Sequence, residues 1–100
     1  MARASELDRD IAFEVEQRRL ELESANAAIP VAREAVTAAV EARRVVGERF
    51  TAGVATSTEV LDAQTAVLQA ELERTRTVAS AHLARARLDR ATGAVAPTSR

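Results

Sequence analysis

Thr51-Ala52-Gly53-Val54-Ala55-Thr56-Ser57-Thr58-Glu59 is the stretch on which the fold turns. Gly53 can take the left-handed conformation that ends a helix, a conformation costly for any residue with a Cβ. Just beyond it Thr56 or Ser57 can cap the start of another helix, and Glu59 stands at the spacing of a reciprocal capping box with Thr56. Both sides of a sharp turn near residues 52–57 therefore have a local cause.

Good helix formers dominate on either side. The pattern predicts a first helix over about 5–51 and a second over about 57–92, closed by Gly93, with a disordered tail at 94–100. Pro30 falls inside the first helix, where it deletes a hydrogen bond and crowds the preceding turn, so a kink is expected there. The fold class is all-α, one long antiparallel helical hairpin of coiled-coil type. At 100 residues the chain is one small domain, spanning 1–100.

A heptad runs through the first helix. Val15, Leu22, Ile29, Val36, Arg43 and Phe50 hold one line, and Ile11, Arg18, Ala25, Ala32, Ala39 and Val46 the other. Large residues beside Ala let two helix axes approach closely, which casts Ala25, Ala32, Ala39 and Phe50 as packing residues. On the second helix, Leu61, Thr65, Leu68, Leu72, Thr75, Ala79, His82 and Ala86 form the expected seam, with Leu61, Leu68 and Leu72 as its main packing residues. Val60, Val67, Val78, Leu83 and Leu88 add apolar surface beside it. Folding at the turn then sets Val46 opposite Thr65, Arg43 opposite Leu68, Ala39 opposite Leu72 and Ile29 opposite His82. Leu7, Ile11, Phe13 and Val15 are left beyond the end of the second helix. A two-helix hairpin buries little surface for its length, so partner helices are expected, either copies of the chain in a dimer or larger bundle, or other parts of a larger parent.

Composition supports this thin architecture. Of the residues, 23 are Ala, two are aromatic and none is Cys. Fourteen Arg and fifteen acids, with no Lys, give a net charge of −1 and alternate in sign along most of the chain. Neither a basic face nor stacking aromatics is available for nucleic acid. No thiolate metal site or disulfide framework is possible. No apolar run reaches the length of a membrane span, and the first residues lack the apolar core of a secretory signal. An exported parent would thus contribute this chain as a mature or excised piece.

A search for catalysis finds no candidate. His82, the sole His, has neither acid, base nor metal ligand beside it in sequence. The pairs Glu14/Glu16 and Glu71/Glu73 do not share a helix face. Ser57 and Ser80 have no visible base, and no glycine-rich phosphate loop exists. No enzyme activity, cofactor or metal is predicted.

Arg49 through Gln64, Arg-Phe-Thr-Ala-Gly-Val-Ala-Thr-Ser-Thr-Glu-Val-Leu-Asp-Ala-Gln, resembles the helical tip of the TolC-like outer membrane efflux proteins. That family's pattern is Arg-Tyr, two residues, Gly, and a Ser/Thr-rich turn leading into Val-Leu-Asp-Ala-Gln. The likeness continues in Leu83-Ala84-Arg85-Ala86-Arg87-Leu88 and Ala91-Thr92-Gly93. Upstream it covers Ser24-Ala25, Ile29, Ala32 to Val36 and Ala42, so that about residues 10–95 are included.

The resemblance implies the C-terminal periplasmic hairpin of a channel for efflux or secretion. Its parent would be a trimer whose helices form a periplasmic barrel below an outer-membrane β-barrel, working with a periplasmic adaptor and an inner-membrane pump. Membrane contact would belong to other parts of that parent. On this reading Gly53, Val54, Ala55, Thr56 and Ser57 form the adaptor-facing tip, and Leu61, Asp62 and Ala63 set the return helix on its neighbour. Two departures matter. Phe50 replaces the tyrosine and loses its hydroxyl, and Ala55 stands where some members carry an Arg that helps close the entrance. Two other readings remain, an adaptor hairpin and a generic self-associating coiled coil. Adaptors carry Arg, Leu and Ser at seven-residue steps around their tip, a pattern that Val54, Leu61 and Leu68 do not follow.

Overall fold

The structure, a computed structural model, describes residues 2–95. Two helices make up the fold, α1 over Ala2–Thr51 and α2 over Ser57–Val95. They form an all-α helical hairpin with its turn at residues 52–56.

Each helix is longer than its sequence signals suggest. α1 passes unbroken through Pro30. That residue is exposed, so the carbonyl left without its helical partner can turn to water, which limits the cost of the missing N–H. α2 does not stop at Gly93 but runs on to Val95. Among the described residues only Gly53 has a positive φ, and a glycine in helical conformation costs about 1 kcal/mol relative to Ala. Gly93 is therefore a weak point in the helix and not its terminator. Of the stretch expected as a disordered tail, residues 96–100 lie outside the described residues.

The chain divides into two compact units, Met1–Ala27 with Val78–Arg100, and Ala28–Thr77. In the second unit the inward residues of α1 are Ile29, Ala32, Val36, Ala39, Val46 and Gly47. From α2 the same unit turns in Val60, Ala63, Val67, Ala70 and Thr77, with Val67 the most buried at 4% exposure. In the first unit Ile11, Val15, Arg18, Leu22 and Ala25 of α1 are withdrawn from solvent. So are Val78, Ala81, Ala84, Leu88 and Ala91 of α2. Apart from the adjacent pair Val46 and Gly47, the steps between these positions within each helix are of three, four or seven residues, the spacing of a helix seam.

On α1 the expected seam is largely the observed one, with Ala25, Ala32 and Ala39 on it. Arg43 and Phe50 are the exceptions, both exposed. On α2 the seam lies on a different face. Leu61, Thr65, Leu68, Leu72, Thr75, Ala79, His82 and Ala86 are all exposed, and the Val- and Ala-rich line one position away faces inward. Leu61, Leu68 and Leu72 show 61%, 66% and 51% of their surface. The cause is steric. α1 already supplies Ile, Leu and Val to the seam, so small residues on α2 let the backbones come close, whereas a row of Leu would hold them apart.

Register follows the seam. Ala28, Val31, Ala32 and Ala35 line one shallow indentation with Glu73 and Thr77. Leu72 is exposed and so does not face Ala39 across the seam as expected.

Surface charge is arranged differently on the two helices. Arg19 bridges Glu16 and Glu23, and Arg44 bridges Glu41 and Glu48, each Arg reaching one turn in both directions. Arg18, half withdrawn into the seam, pairs with Glu21 at 3.1 Å and Glu14 at 3.8 Å. Hydrogen bonding from Arg19 and Arg44 lowers the pKa of Glu16 and Glu41 respectively. On α2 the pairs are looser, Glu73 with Arg76 at 4.0 Å and Arg85 with Asp89 at 3.6 Å.

Candidate functional site: the hairpin tip

The tip is built by two capping devices placed back to back. At the end of α1, Gly53 adopts φ 81°. Its N–H donates to the Phe50 carbonyl at 3.0 Å, and the Val54 N–H donates to the Arg49 carbonyl at 2.9 Å. These two bonds form a Schellman motif and satisfy carbonyls that the end of the helix would otherwise leave open. The Thr51 hydroxyl donates to the Gly47 carbonyl at 3.1 Å. A further lock comes from Arg49, whose Nη2 donates to the Val54 carbonyl at 3.3 Å and ties the last turn of α1 to the loop.

At the start of α2, Thr56 and Glu59 form the reciprocal box. The Glu59 N–H donates to Thr56 Oγ1 at 3.1 Å, and the Thr56 N–H donates to Glu59 Oε1 at 2.7 Å. The first helical bond runs from the Val60 N–H to the Thr56 carbonyl at 3.2 Å. Ala55 and Val60, the residues that a hydrophobic staple would join across this box, are both half-buried. The acidic side chain at Glu59 also stands in the first turn, where the helix dipole favours it.

Because both helix ends are internally satisfied, the residues between them are free to face outward. Gly53, Val54, Thr56 and Ser57 are exposed, and a Cβ at Gly53 would meet no atom within 4 Å. The glycine is thus required by its backbone angle, and the space above it is open. Among the described residues the Ser57 and Thr58 hydroxyls make no hydrogen bond, so both can meet a partner's donor or acceptor. The result is a narrow surface of one aliphatic side chain, open backbone and hydroxyls.

The capping roles of Gly53, Thr56 and Glu59 were readable from sequence. The Arg49 lock was not, because an Arg five residues before a carbonyl has no fixed spacing rule. Its only sequence trace is its place in the Arg-Phe pair. Of the expected packing residues, Phe50, Leu61, Leu68 and Leu72 do not line the α1–α2 seam. Their exposed apolar surface has to be explained by something outside the hairpin.

Other chemistry is sparse. Among the described residues no three His, Asp or Glu side chains gather as a metal site, and His82 is exposed. No helix in this range is long and apolar enough to cross a membrane.

Comparison with curated proteins and with solved structures gives no match. Comparison with protein families gives one, to the outer membrane efflux proteins, over residues 5–94. That span takes in the seam of both helices and the whole tip, and the chain belongs to the outer membrane efflux protein family.

Proposed function

We propose that the chain is a periplasmic hairpin in the α-helical wall of a TolC-like outer membrane channel, and that Gly53–Ser57 docks a periplasmic adaptor. The family is one of outer membrane efflux and transport proteins, which sets the wider setting. The observation that carries the finer reading is the tip itself, a doubly capped turn that presents Val54 and free hydroxyls beside open backbone. A hairpin from another protein can approach such a surface closely, since Gly53, Val54, Thr56 and Ser57 themselves carry no bulky or charged side chain.

In this role the hairpin conducts and supports and makes no covalent bond. Hairpins around a pore open or close it by small relative shifts at their tips. Ala55 offers no charge to latch such a gate, so closure here would rest on packing and hydroxyl hydrogen bonds. Adaptor capture by the intact parent protein tests the docking. Val54→Asp should weaken capture by at least roughly tenfold, since an apolar contact is replaced by a charge that must be desolvated. Unchanged helicity of Val54→Asp by circular dichroism controls for the fold. Undiminished capture by Val54→Asp would overturn the docking role.

A further inference from the structure

Val54, the exposed aliphatic side chain of the tip, is held on both sides by one residue. Its N–H donates to the Arg49 carbonyl at 2.9 Å, and its own carbonyl accepts from Arg49 Nη2 at 3.3 Å. The first bond is the ordinary closure of a helix that ends at a left-handed glycine. The second is particular to this sequence. It needs a donor long enough to reach from the last turn of α1 to the loop, and a guanidinium supplies a planar fork of them. Two residues on, the Thr56 N–H is held by Glu59 Oε1 at 2.7 Å. Only Ala55 stands between these two clamps, and it is half-buried. All of these residues belong to the compact unit Ala28–Thr77. Arg49 also has no competing partner. Arg44 is engaged by Glu41 and Glu48, whereas among the described residues Arg49 forms no ion pair, and its side chain bonds the loop carbonyl instead. A cation is favoured there, in the last turn of the helix, and a charged donor strengthens the bond.

We propose that Arg49 is the positioning residue of the docking tip. Its side chain fixes the Val54 carbonyl and so presents the Val54 side chain, 61% exposed, in the conformation that the adaptor takes, without touching the adaptor itself. The role rests on the docking of Gly53–Ser57 proposed above. Rigidity acts here through population. With both bonds made, the loop before Thr56 is held in one conformer. Without the side-chain bond only the Val54 N–H remains tied to α1, and the peptide unit between Val54 and Ala55 is free to rotate. Apparent affinity then falls in proportion to the fraction of tips that remain competent. Fewer competent tips at each encounter slow association, whereas loss of a contact made within the complex speeds dissociation. The two roles an Arg could have at this tip, positioning and direct contact, are thereby separable in the rates.

Arg49→Gln tests it, with binding kinetics of the adaptor to the intact parent protein and amide order parameters of the chain by NMR. Helicity should be unchanged, since Arg49 is exposed and lies outside the seam. The order parameters at Val54 and Ala55 should fall from about 0.85 toward 0.6, those of the two helices staying as they are. Adaptor binding should weaken by roughly three- to tenfold, through slower association at an unchanged dissociation rate. Val54→Asp, measured beside it, keeps the two proposals apart. If Val54→Asp loses capture and Arg49→Gln binds like the wild type, docking stands and the positioning role is overturned. If Arg49→Gln binds more weakly through faster dissociation, with the loop as ordered as before, Arg49 is itself a contact and the positioning role is again overturned. If neither variant weakens binding, the docking role falls and the positioning role with it.

Discussion

The two helices fill the seam between them with side chains of different size. α1 turns Ile11, Leu22, Ile29 and Val36 toward the seam, and its charges are knit into pairs one turn apart. α2 gives the seam mostly Ala and Val, holds Leu61, Leu68, Leu72 and Leu83 outward, and gathers its acids and its Arg into separate halves. α1 also leaves large apolar side chains outward, Phe13, Leu20, Val31 and Val45 among them, so neither helix is complete within the hairpin; α2 differs in the small residues it gives the seam and in its unbalanced charge profile. The lesson is that apolar periodicity alone does not say which stripe closes a hairpin, because a helix between two neighbours carries two stripes of equal quality.

The largest effect that would break this comparison comes from adjacent positions on α2. Val67 is 4% exposed and Leu68 is 66% exposed. Val67→Asp buries a carboxylate without a partner and should cost about 3 kcal/mol or more, enough to unfold a small hairpin. Leu68→Asp should change hairpin stability by less than about 0.5 kcal/mol at concentrations where the chain is monomeric. Urea unfolding followed by circular dichroism decides it. Equal losses for the two variants would mean that α2 has no distinct inner face.

Overpacking gives the next largest effect. Ala81→Leu inserts three carbons into the seam of its unit, where Ala81 is buried, and should destabilise by about 1–3 kcal/mol. Ala79→Leu places the same side chain on the exposed stripe and should be close to neutral, since Ala and Leu differ little in helix propensity. Thermal melts of both variants check this. A loss from Ala79→Leu equal to that from Ala81→Leu would return the seam to the face first read from the sequence.

That first reading succeeded where the cause was local and failed where it was shared between helices. Gly53, Thr56 and Glu59 fix the turn through bonds among close neighbours, so spacing alone was enough to place it. The α1 seam was also legible, because a line of large residues runs beside a line of Ala at heptad steps along it. On α2 the choice between Val60/Val67 and Leu61/Leu68 depends on the volume α1 supplies, which no pattern within α2 contains. Gly93 does not end α2 for a related reason, since it imposes a cost that a long helix with tertiary contacts can absorb.

Smaller effects separate the local tip from both helices. Gly53→Ala should cost about 1 kcal/mol, all of it from the left-handed backbone, since the added Cβ meets nothing within 4 Å. Thr56→Ala should cost about 1 kcal/mol through loss of the cap, whereas Ser57→Ala, whose hydroxyl caps nothing, should cost less than half as much. Hydrogen exchange at the Glu59 amide, which Thr56 Oγ1 accepts, reports the cap directly. Unchanged protection in Thr56→Ala would show that the capping box adds nothing to the turn.

The smallest effect concerns charge on α1. Hydrogen bonds from Arg19 and Arg44 hold the carboxyls of Glu16 and Glu41 below the ordinary value of 4.5. Groups whose folded pKa is depressed add stability that is complete above the unfolded value and is lost as pH falls through the folded one. Acidification below 4.5 should therefore fray α1 slightly around each Arg-centred pair, and the effect is small because these side chains are solvent-exposed and screened. An NMR titration of the Glu16 carboxyl should give a lower midpoint in the wild-type chain than in Arg19→Gln, and the Arg44→Gln chain should do the same for Glu41. Coincident midpoints would mean that the paired charges of α1 are no more bound together than those of α2. The contrast between the helices would then rest on their apolar faces alone.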